Sequence, residues 1–538
     1  MIHVYLNRQS FQYDVHSLVR AFYPGEEVKV EIRETDVPEV ASQEDVTDEA
    51  LFLLVISFIP VGQNGGKALE EGEAFKESKS PEADEASAEE FQIDQFSESG
   101  VSGESRIEIH LFERTEGGWE GKLQKESSCC EEDRGETKNE LKRLLYRLLS
   151  EYSGKKLPWG NLTGIRPTKI AMTLLKQGKS NVEIANYMRE TYYTSNEKTA
   201  LAVAIANREH SLLEKLNLNG YSLYIGIPFC PSICLYCSFS SSPIALWKDR
   251  VDAYLDALLH EMEAVAEMLP DRRPDTIYIG GGTPTTLEPE QLERLLSKLE
   301  SCLDVRQAQE FTVEPGRPDS ITREKLAVLQ AHQVSRISIN PQTMNQETLD
   351  FIGRKHTVEE TEAAFYLARE MGFDNINMDL IVGLPGEGSR EVEHTMQVLS
   401  RLDPDSITVH SLAVKRAARL RLFKEEHKEL SFENNSEIMD MTAAYTRASG
   451  LHPYYLYRQK NMAGNFENVG YARDGREGLY NILIMEEVQS IVALGAGAAT
   501  KLVRPGNRIH RIENVKDIRN YIERIDEMIE RKRAGLYE

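Results

Sequence analysis

The sequence has no apolar segment long enough to cross a bilayer, and its first residues do not resemble an export signal. The longest apolar run, residues 50–60, ends in proline and falls well short of the roughly 20 residues that a membrane helix needs. The opening MIHVYL lacks the basic start and long apolar core of a signal peptide. These absences predict a cytoplasmic protein in a reducing compartment, where thiolates can serve as ligands.

Positive charge is also scarce. The chain has 63 Lys and Arg against 87 Asp and Glu, a formal net charge of −24. Such a surface repels nucleic acid and anionic membranes at long range, so neither is expected as a partner. Residues 69–105 are crowded with Glu, Asp, Ser, Ala and Gly and offer few large apolar groups. We expect a disordered acidic insertion there, more typical of a solvated loop than of a docking site for a basic partner.

The length of 538 residues and a hydrophobic content of 41% predict two to four domains with buried cores. Residues 1–134 indicate a small α+β domain, and residues 135–216 a helical lead-in. In the first domain we expect strands at 27–34, 51–58 and 105–112 and a helix at 17–22. Cys129 and Cys130 stand among Glu and Ser, which is typical of surface thiols in a polar turn. The N-terminal domain shows no chemistry of its own.

Residues 217–430 alternate between strand and helix patterns. The expected strands are 223–228, 275–280, 310–313, 336–340, 375–382 and 406–412; the expected helices are 248–268, 289–303, 322–332, 346–352, 358–371 and 389–402. This rhythm predicts an α/β fold built on a partial parallel (β/α)6 barrel, because the pattern stops after Ala413. Residues 431–538 indicate a separate, mostly helical cap that closes with a helix at 514–531.

Three of the six cysteines, Cys230, Cys234 and Cys237, follow the first barrel strand within eight residues. Thiolates spaced by three and then two residues can reach three corners of an iron–sulfur cube, and no fourth cysteine follows at ligand spacing. A closed zinc site needs four ligands, and His210 and His260 lie outside such a pattern. We therefore expect a [4Fe–4S] cluster with one open iron. Structural zinc and an unligated trio of thiols are the alternatives.

The segments YIGIPFC (224–230) and YCSF (236–239) resemble the radical S-adenosylmethionine (SAM) enzymes, and within them the coproporphyrinogen dehydrogenase group. The segment RQKNMAGN (458–465) is similar to the HemZ-type branch of that group. The resemblance covers about residues 135–535. It implies one [4Fe–4S] cluster, SAM in one or two copies, a porphyrinogen substrate, and an electron donor such as flavodoxin or ferredoxin.

The resemblance also implies which residues surround the cofactors. SAM recognition is expected from Gly281, Gly282, Thr283, Glu314, Gln342, Arg354 and Asp379, with Tyr224 and Tyr236 flanking the cluster and Ala413 and Ala499 packing against the ligands. Most of these follow strand ends, where the loops of a parallel barrel converge. The glycines would let backbone amides approach a ligand, although a tight turn alone explains them equally well. Glu314 begins EPGRP, which departs from the shorter Glu-x-x-Pro turn common in relatives.

The implied reaction is oxygen-independent conversion of coproporphyrinogen III to protoporphyrinogen IX. A 5′-deoxyadenosyl radical takes a hydrogen atom from a propionate β-carbon. Carbon dioxide then leaves, one electron passes to a final acceptor and a vinyl group remains, twice per molecule. No side-chain nucleophile is required. The Arg-Tyr-rich N-terminal arm of the characterised oxidases has no counterpart in residues 1–60.

Two other functions stay open. One is a haem-binding chaperone of the same superfamily, whose His-Asn-x-x-Tyr-Trp motif reads Glu467-Asn-Val-Gly-Tyr-Ala472 here. The other is a radical SAM enzyme with a different substrate.

A substrate with four propionates needs local positive charge in so acidic a protein. Basic residues follow the sixth strand and recur near residue 460: Lys415, Arg416, Arg419, Arg421, Arg458 and Lys460. Guanidinium groups match carboxylates well, so we expect some of these residues to pair with propionates. The alternative is a solvated basic helix face.

Overall fold

The computed structural model describes residues 1–33, 50–61, 104–116, 118–164, 166–217, 219–239, 241–413, 433–458, 466–506 and 508–537. They form two compact units, one of residues 1–163 with 186–196, the other of residues 164–185 with 197–538. Apart from its last two residues, the predicted acidic insertion 69–105 lies outside the described residues. In the part of the chain that is described, no helix is both long and apolar enough to cross a membrane.

The N-terminal unit is an α+β sheet with two helices on one face. Its elements are β1 (Ile2–Leu6), α1 (Gln12–Phe22), β2 (Val28–Ile32), β3 (Phe52–Pro60), β4 (Glu104–Thr115), β5 (Gly118–Cys130) and α2 (Arg134–Ser153). The strand order is β2-β1-β3-β4-β5, with β1 parallel to both neighbours. The apolar face of α2, which includes Leu141 and Leu145, is buried in the same core as α1 and the sheet. The first helix of the expected lead-in therefore completes the N-terminal core.

Cys129 and Cys130 do not lie in a turn, as expected, but end strand β5. They pair with Ser105 and Glu104 of β4. The strand GWEGKLQKESSCC is at the sheet edge and largely solvated, so few of its residues are apolar and the sequence reads as a loop.

The second unit begins with three helices and continues as a strand–helix alternation. Its elements are α3 (Thr168–Lys176), α4 (Asn181–Tyr192, shared with the first unit), α5 (Asn196–Leu213), β6 (Tyr221–Ile227), β7 (Phe229–Cys230), β8 (Ser242–Pro243), α6 (Val251–Met268), β9 (Pro274–Gly281), α7 (Pro289–Cys302), β10 (Glu310–Gly316), α8 (Arg323–Ala331), β11 (Arg336–Ile339), α9 (Gln346–Phe351), α10 (Val358–Glu370), β12 (Ile376–Val382), α11 (Ser389–Leu402), β13 (Ser406–Ser411), α12 (Ser436–Ala448), β14 (His452–Tyr457), β15 (Asn468–Ala472), α13 (Leu479–Glu486), β16 (Ile491–Leu494), β17 (Ala499–Arg504), β18 (Arg508–Glu513), α14 (Ile518–Glu523) and α15 (Ile525–Tyr537).

The six predicted strands pair in parallel in chain order, β6-β9-β10-β11-β12-β13, which confirms the partial barrel. One face of each strand is apolar and buried, as with Ile277 and Ile279 of β9. The alternate face is largely polar, and its side chains bond across strands: Thr276 donates to Ser222 at 2.9 Å, and the Asn377 amide donates to the hydroxyl of Ser338 at 2.8 Å. This polar face leads to the carboxyl ends of the strands, where the cysteine loop lies.

The region after residue 431 differs from the expected separate cap, because its strands join the barrel sheet. Strand β16 pairs in parallel with β6, and β17 and β18 extend that edge. At the other edge β15 pairs antiparallel with β13, and β14 with β15. More of the region's described residues are helical than extended, as expected, but the predicted helix 514–531 is divided into α14 and α15. The sequence did not predict strand β16, because its four residues are too few to show the alternation that marks a strand.

A buried ion pair holds the last helix against the barrel. The side chains of Lys532 on α15 and Glu261 on α6 are both fully buried, 2.6 Å apart. The Glu261 carboxylate also accepts bonds from the Asn514 amide at 2.8 Å, the Tyr521 hydroxyl at 2.6 Å and the backbone of Gly495 at 2.8 Å. Full pairing of this kind is what allows a charge to be buried.

We expect Lys532→Met to lower the free energy of unfolding of the barrel unit by about 3–5 kcal/mol, because it leaves the Glu261 carboxylate buried without its cation. Urea unfolding of the whole chain measures the change. The neighbouring Arg531→Met is the control: its pair with Glu527 is exposed on both sides, so it should cost no more than about 1 kcal/mol. Equal effects of the two variants would contradict the prediction.

Candidate active site

The cysteine loop leaves the carboxyl end of β6 and is tied to the chain after α9. The short strands β7 and β8 pair at its two ends. Between them the Leu235 amide donates to the carbonyl of Ile352 at 3.0 Å, and the Ser232 hydroxyl to the carbonyl of Gly353 at 3.1 Å. The loop is therefore fixed at the edge of the barrel where the other strand ends converge.

Hydrogen-bond donors are aimed at the sulfurs of the loop. The Thr283 hydroxyl lies 3.7 Å from Cys230 Sγ, and Arg317 Nη1 lies 3.8 Å from Cys234 Sγ. Burial raises the pKa of the Cys230 and Cys237 thiols, and the neighbouring Cys234 raises both further. Donors and a buried cation stabilise sulfur that carries negative charge, so this surrounding fits the thiolates of an iron–sulfur cluster. Among the described residues no three His, Cys, Asp or Glu side chains are already arranged around a metal position, and ligation by these cysteines stays a prediction.

The glycine loop packs against the cysteine segment rather than offering free amides. The amide of Gly282 donates to the carbonyl of Ile227, and that of Thr283 to the carbonyl of Phe229, both at 2.7 Å. A Cβ on Gly282 would lie 2.4 Å from the Phe229 carbonyl oxygen, and Gly281 has a φ of +104°. The amides of Gly282 and Thr283 are thus already bonded to backbone carbonyls, while the contact of these residues with SAM stays a prediction. Glycine is needed at position 282 because two backbone segments touch there.

Glu314 and Asp379 form a carboxyl pair with unequal acidity on the polar face of the barrel. Burial, and then the charge of Asp379, raise the pKa of Glu314 to about 7. The Glu314 carboxyl accepts a bond from the Asn340 amide at 3.3 Å. Burial also raises the pKa of Asp379, but His410, 3.7 Å away, and the Asn377 amide, at 2.7 Å, hold it below its ordinary value. Near neutral pH one carboxyl is ionised and the other exchanges its proton.

Tyr224 lies in a stack of three aromatic rings. Its ring is nearly parallel to those of Tyr278 and Tyr480, with centroids 6.2 and 6.3 Å away, and those two rings are 4.6 Å apart. A Cβ on Gly281 would lie 3.0 Å from the Tyr224 hydroxyl. The stack therefore runs from α13 across the barrel to the glycine loop.

Gln342 and Arg354 lie where the chain passes between β11 and β12. Gln342 has a φ of +69° and exchanges backbone bonds with the segment at Asp379, at 2.8 and 2.9 Å. Arg354 is 5% exposed; its Nη1 donates to the carbonyls of Asn340 and Pro341, and its charge lies beside Tyr236 and Cys234. Its buried Nε has no hydrogen-bond partner among the described residues. An unpaired N–H is costly, so this group suits a ligand carboxylate.

The remaining predicted contacts also lie at the carboxyl edge of the sheet. Ala413 follows β13 within two residues, and Ala499 begins β17 directly after the turn that leaves β16. Tyr236 packs in an apolar cluster with Leu349 and Ile352. Tyr224 and Asp379 lie in the middle of β6 and β12, and Arg354 follows α9. The contacts of all the predicted residues with cofactors stay predictions.

Several polar residues of the site were not predicted from the sequence: Arg317, Asn340, Asn377, His410 and Tyr278. A signal for four of them exists, because they occupy alternate positions in otherwise apolar strands or, for Asn340, directly after one. Strands such as INMDLIV and SITVHS carry Asn, Asp, Thr and His at the positions that share one face.

The expected basic residues are only partly described. Lys415, Arg416, Arg419, Arg421 and Lys460 lie outside the described residues, so their pairing with propionates stays a prediction. Arg458 is 5% exposed, and burial lowers its pKa to about 10 while the charge of Glu467 opposes that change. Its pairing with a propionate stays a prediction.

This chain is similar to several known proteins. The model of the radical SAM superfamily matches residues 224–399. The oxygen-independent coproporphyrinogen-III oxidase-like protein HemZ of Bacillus subtilis (strain 168) is 43% identical over 403 residues, which cover 74% of this chain and 80% of HemZ. The heme chaperone HemW of the same organism is 34% identical over 57% of this chain and 76% of its own length. The solved structure of coproporphyrinogen III oxidase (HemN) from Escherichia coli aligns with a TM-score of 0.48 and 24% identity over 62% of this chain and 74% of its own.

The chain therefore belongs to the radical SAM superfamily and, within it, to the HemZ-type family of oxygen-independent coproporphyrinogen-III oxidase-like proteins. Its cofactors are those of the superfamily, a [4Fe–4S] cluster and SAM.

The raised pKa of Glu314 predicts a pH-dependent stability. The folded chain holds this proton up to about pH 7 and the unfolded chain only to its ordinary value near 4.5, so stability falls as pH rises through that window. We expect the free energy of unfolding of wild type to fall, relative to Glu314→Gln, by about 3 kcal/mol between pH 4 and pH 8. Urea unfolding of the cofactor-free protein at several pH values tests this. The exposed Glu347→Gln is the control, and a difference between wild type and Glu314→Gln that does not vary with pH would contradict the prediction.

Proposed function

We propose that this chain is an oxidoreductase of porphyrin biosynthesis that decarboxylates two propionates of coproporphyrinogen III to vinyl groups without oxygen, giving protoporphyrinogen IX. The similarity to HemZ supports this proposal, since it extends over four-fifths of that protein. HemZ is named an oxidase-like protein, so the substrate and the reaction are proposed for this chain. An electron donor such as flavodoxin or ferredoxin would reduce the cluster.

The residues of the site have separate roles in this proposal. Cys230, Cys234 and Cys237 ligate the cluster. Arg354 pairs through its fork with the carboxylate of SAM, and Asp379 accepts hydrogen bonds from the ribose hydroxyls, because an ionised carboxylate is an acceptor at both oxygens. When bound, the cluster and SAM supply a radical able to remove a hydrogen atom from an unactivated carbon. The barrel's contribution is to hold the substrate carbon beside that radical and to exclude water.

Glu314 has a different role from Asp379 in this proposal. With a pKa of about 7, it both donates and accepts a proton near neutral pH. Its neutral form can donate a hydrogen bond to a ligand oxygen that the ionised Asp379 would repel.

One observation favours the enzyme over the chaperone. Glu467, which stands where the chaperone motif has histidine, is 1% exposed and forms an ion pair with Lys198 at 2.6 Å. The next residue, Asn468, accepts a bond from the amide of Ser411 at 2.9 Å. Both side chains fasten β15 to the rest of the barrel unit, and neither can act as the haem ligand that a histidine supplies. The haem chaperone remains the second candidate because of the similarity to HemW.

Cysteine substitutions test the ligand assignment. Each of Cys230→Ala, Cys234→Ala and Cys237→Ala should prevent cluster assembly, because the loop supplies only three thiolates and the cluster needs all of them as ligands. Iron content and visible absorbance after anaerobic reconstitution measure the outcome. Cys302→Ala is the matched control, since this partly exposed thiol at the end of α7 lies outside the loop. A triple variant with the iron content of wild type would refute the assignment.

An anaerobic assay with a reductant, SAM and coproporphyrinogen III tests the activity. We expect protoporphyrinogen IX to form, with two molecules of carbon dioxide per product. A chaperone would instead bind haem and release no carbon dioxide, so parallel haem titration separates the two functions. Tight haem binding by reconstituted protein that cleaves SAM but leaves the porphyrinogen unchanged would favour the chaperone.

A further inference from the structure

We propose that Arg317 is a positioning residue for the cysteine loop and that its charge raises the reduction potential of the cluster held there. The inference rests on the proposed ligation by the three cysteines and goes beyond it, since it names a residue outside the ligand set. Arg317 belongs to the EPGRP segment, residues 314–318.

The EPGRP turn aims the side chain of Arg317 at the loop. Gly316 has a φ of +65°, and the Arg317 amide donates to the carbonyl of Pro315, two residues earlier, at 2.6 Å. The positive φ favours glycine at this position. The tight turn carries the Arg317 side chain inward, where it is 3% exposed.

Asp319 holds the guanidinium in one orientation. Its carboxylate accepts bonds from Nε at 3.0 Å and Nη2 at 2.8 Å, and these bonds hold its pKa below the ordinary value although burial raises it. This two-point pairing fixes the plane of the fork. The third nitrogen, Nη1, is left to face the cysteine loop.

Nη1 makes three contacts with the loop. It donates to the Ser232 hydroxyl at 3.0 Å and carbonyl at 3.3 Å, and it lies 3.8 Å from Cys234 Sγ. One guanidinium thus joins the loop after β10 to the loop after β6. A lysine could not make the same set of contacts, because its ammonium is a single point without a planar fork.

The charge of Arg317 is suited to the electrons that the site receives. Reduction adds negative charge to a cluster, and hydrogen bonds and cations next to its sulfurs favour the reduced state. The chain as a whole carries −24, which opposes reduction. Near Cys234 the cations Arg317 and Arg354 offset that field. The negative charge of Asp319 cancels part of their positive charge. His356 is fully buried, 4.0 Å from Asp319; burial and then Arg354 lower its pKa to about 3, so it adds no charge.

Two substitutions with opposite charge effects test the proposal in the reconstituted full-length protein. Arg317→Gln removes a positive charge, and Asp319→Asn removes a negative charge from the same pair. Electron paramagnetic resonance during a redox titration gives the midpoint potential of the cluster. At the potential where wild type is half reduced, we expect Arg317→Gln to show about a tenfold lower ratio of reduced to oxidised cluster, a shift of 59 mV for one electron. We expect Asp319→Asn to shift the potential upward.

Two further variants separate charge from position. Arg317→Lys should have a midpoint potential close to that of wild type, because it retains the positive charge. It should release iron to a chelator several-fold faster, because it loses the planar fork that holds the loop. Arg323→Gln is the matched control: Arg323 pairs with Glu370 on an exposed surface and should change neither measurement.

An unchanged midpoint potential in Arg317→Gln, or a downward shift in both Arg317→Gln and Asp319→Asn, would overturn the proposal, since simple damage to the loop moves both variants together. If Arg317→Gln holds no cluster, Arg317→Lys and Asp319→Asn still decide the matter, and a potential in Asp319→Asn at or below that of wild type overturns it. Wild-type protein that binds a cluster but leaves coproporphyrinogen unchanged would refute the proposed function while the Arg317 result stands. Wild type without a cluster would refute both.

Discussion

The contact between Gly282 and the carbonyl of Phe229 is the constraint on which the site depends. Two backbone segments meet there with no side chain between them. Two hydrogen bonds of 2.7 Å, each donated by a backbone amide, join them. The junction connects the ends of neighbouring strands β6 and β9, so the cysteine loop starts from a fixed point. The Thr283 hydroxyl reaches Cys230 from the same turn. A methyl group at position 282 would separate the strand ends and move the first thiol away from the other two.

The polar face of the barrel shows what such a site costs. A parallel sheet is usually apolar on both faces, whereas here Glu310, Arg336 and Asn377 are buried in the neighbouring strands β10, β11 and β12. Arg336 lies beside Glu310, which also accepts a bond from the amide of Leu479 on α13. Each buried polar group must find a partner or lose free energy. These residues fix the orientation of the side chains above them, which a binding site requires and an apolar core does not provide.

The strands and helices of the barrel could be predicted within a few residues, because each alternates with the next at a regular spacing and most are bounded by Pro, Gly or Asn. The pairing of β16 with β6 could not, since IVAL at 491–494 is four residues long and its partner is about 270 residues away in the chain. Long-range pairing leaves no local pattern. Helix α2 was predicted as a helix. Its place in the N-terminal core could not be predicted, because it depends on which apolar surface its own apolar face packs against.

The cysteine ligands could be proposed from spacing alone, whereas Arg317 could not. Its partners Asp319, Ser232 and Cys234 come from two separate loops, and a single arginine beside proline carries no pattern. His410 lies in a strand whose alternation can be read from the sequence, but its relation to Asp379 depends on the register of β12 and β13. What the sequence shows well is periodic or closely spaced; what it hides is contact between loops.

The buried pair of Glu261 and Lys532 sets an order of events during synthesis. The two residues are 271 positions apart, and a ribosome adds about 5–20 residues per second, so the carboxylate waits roughly 15–55 s for its ammonium. Strand β16, the neighbour of β6, is also made late. The β6 edge of the barrel consequently has no β16 to pair with while nearly half of the chain is translated.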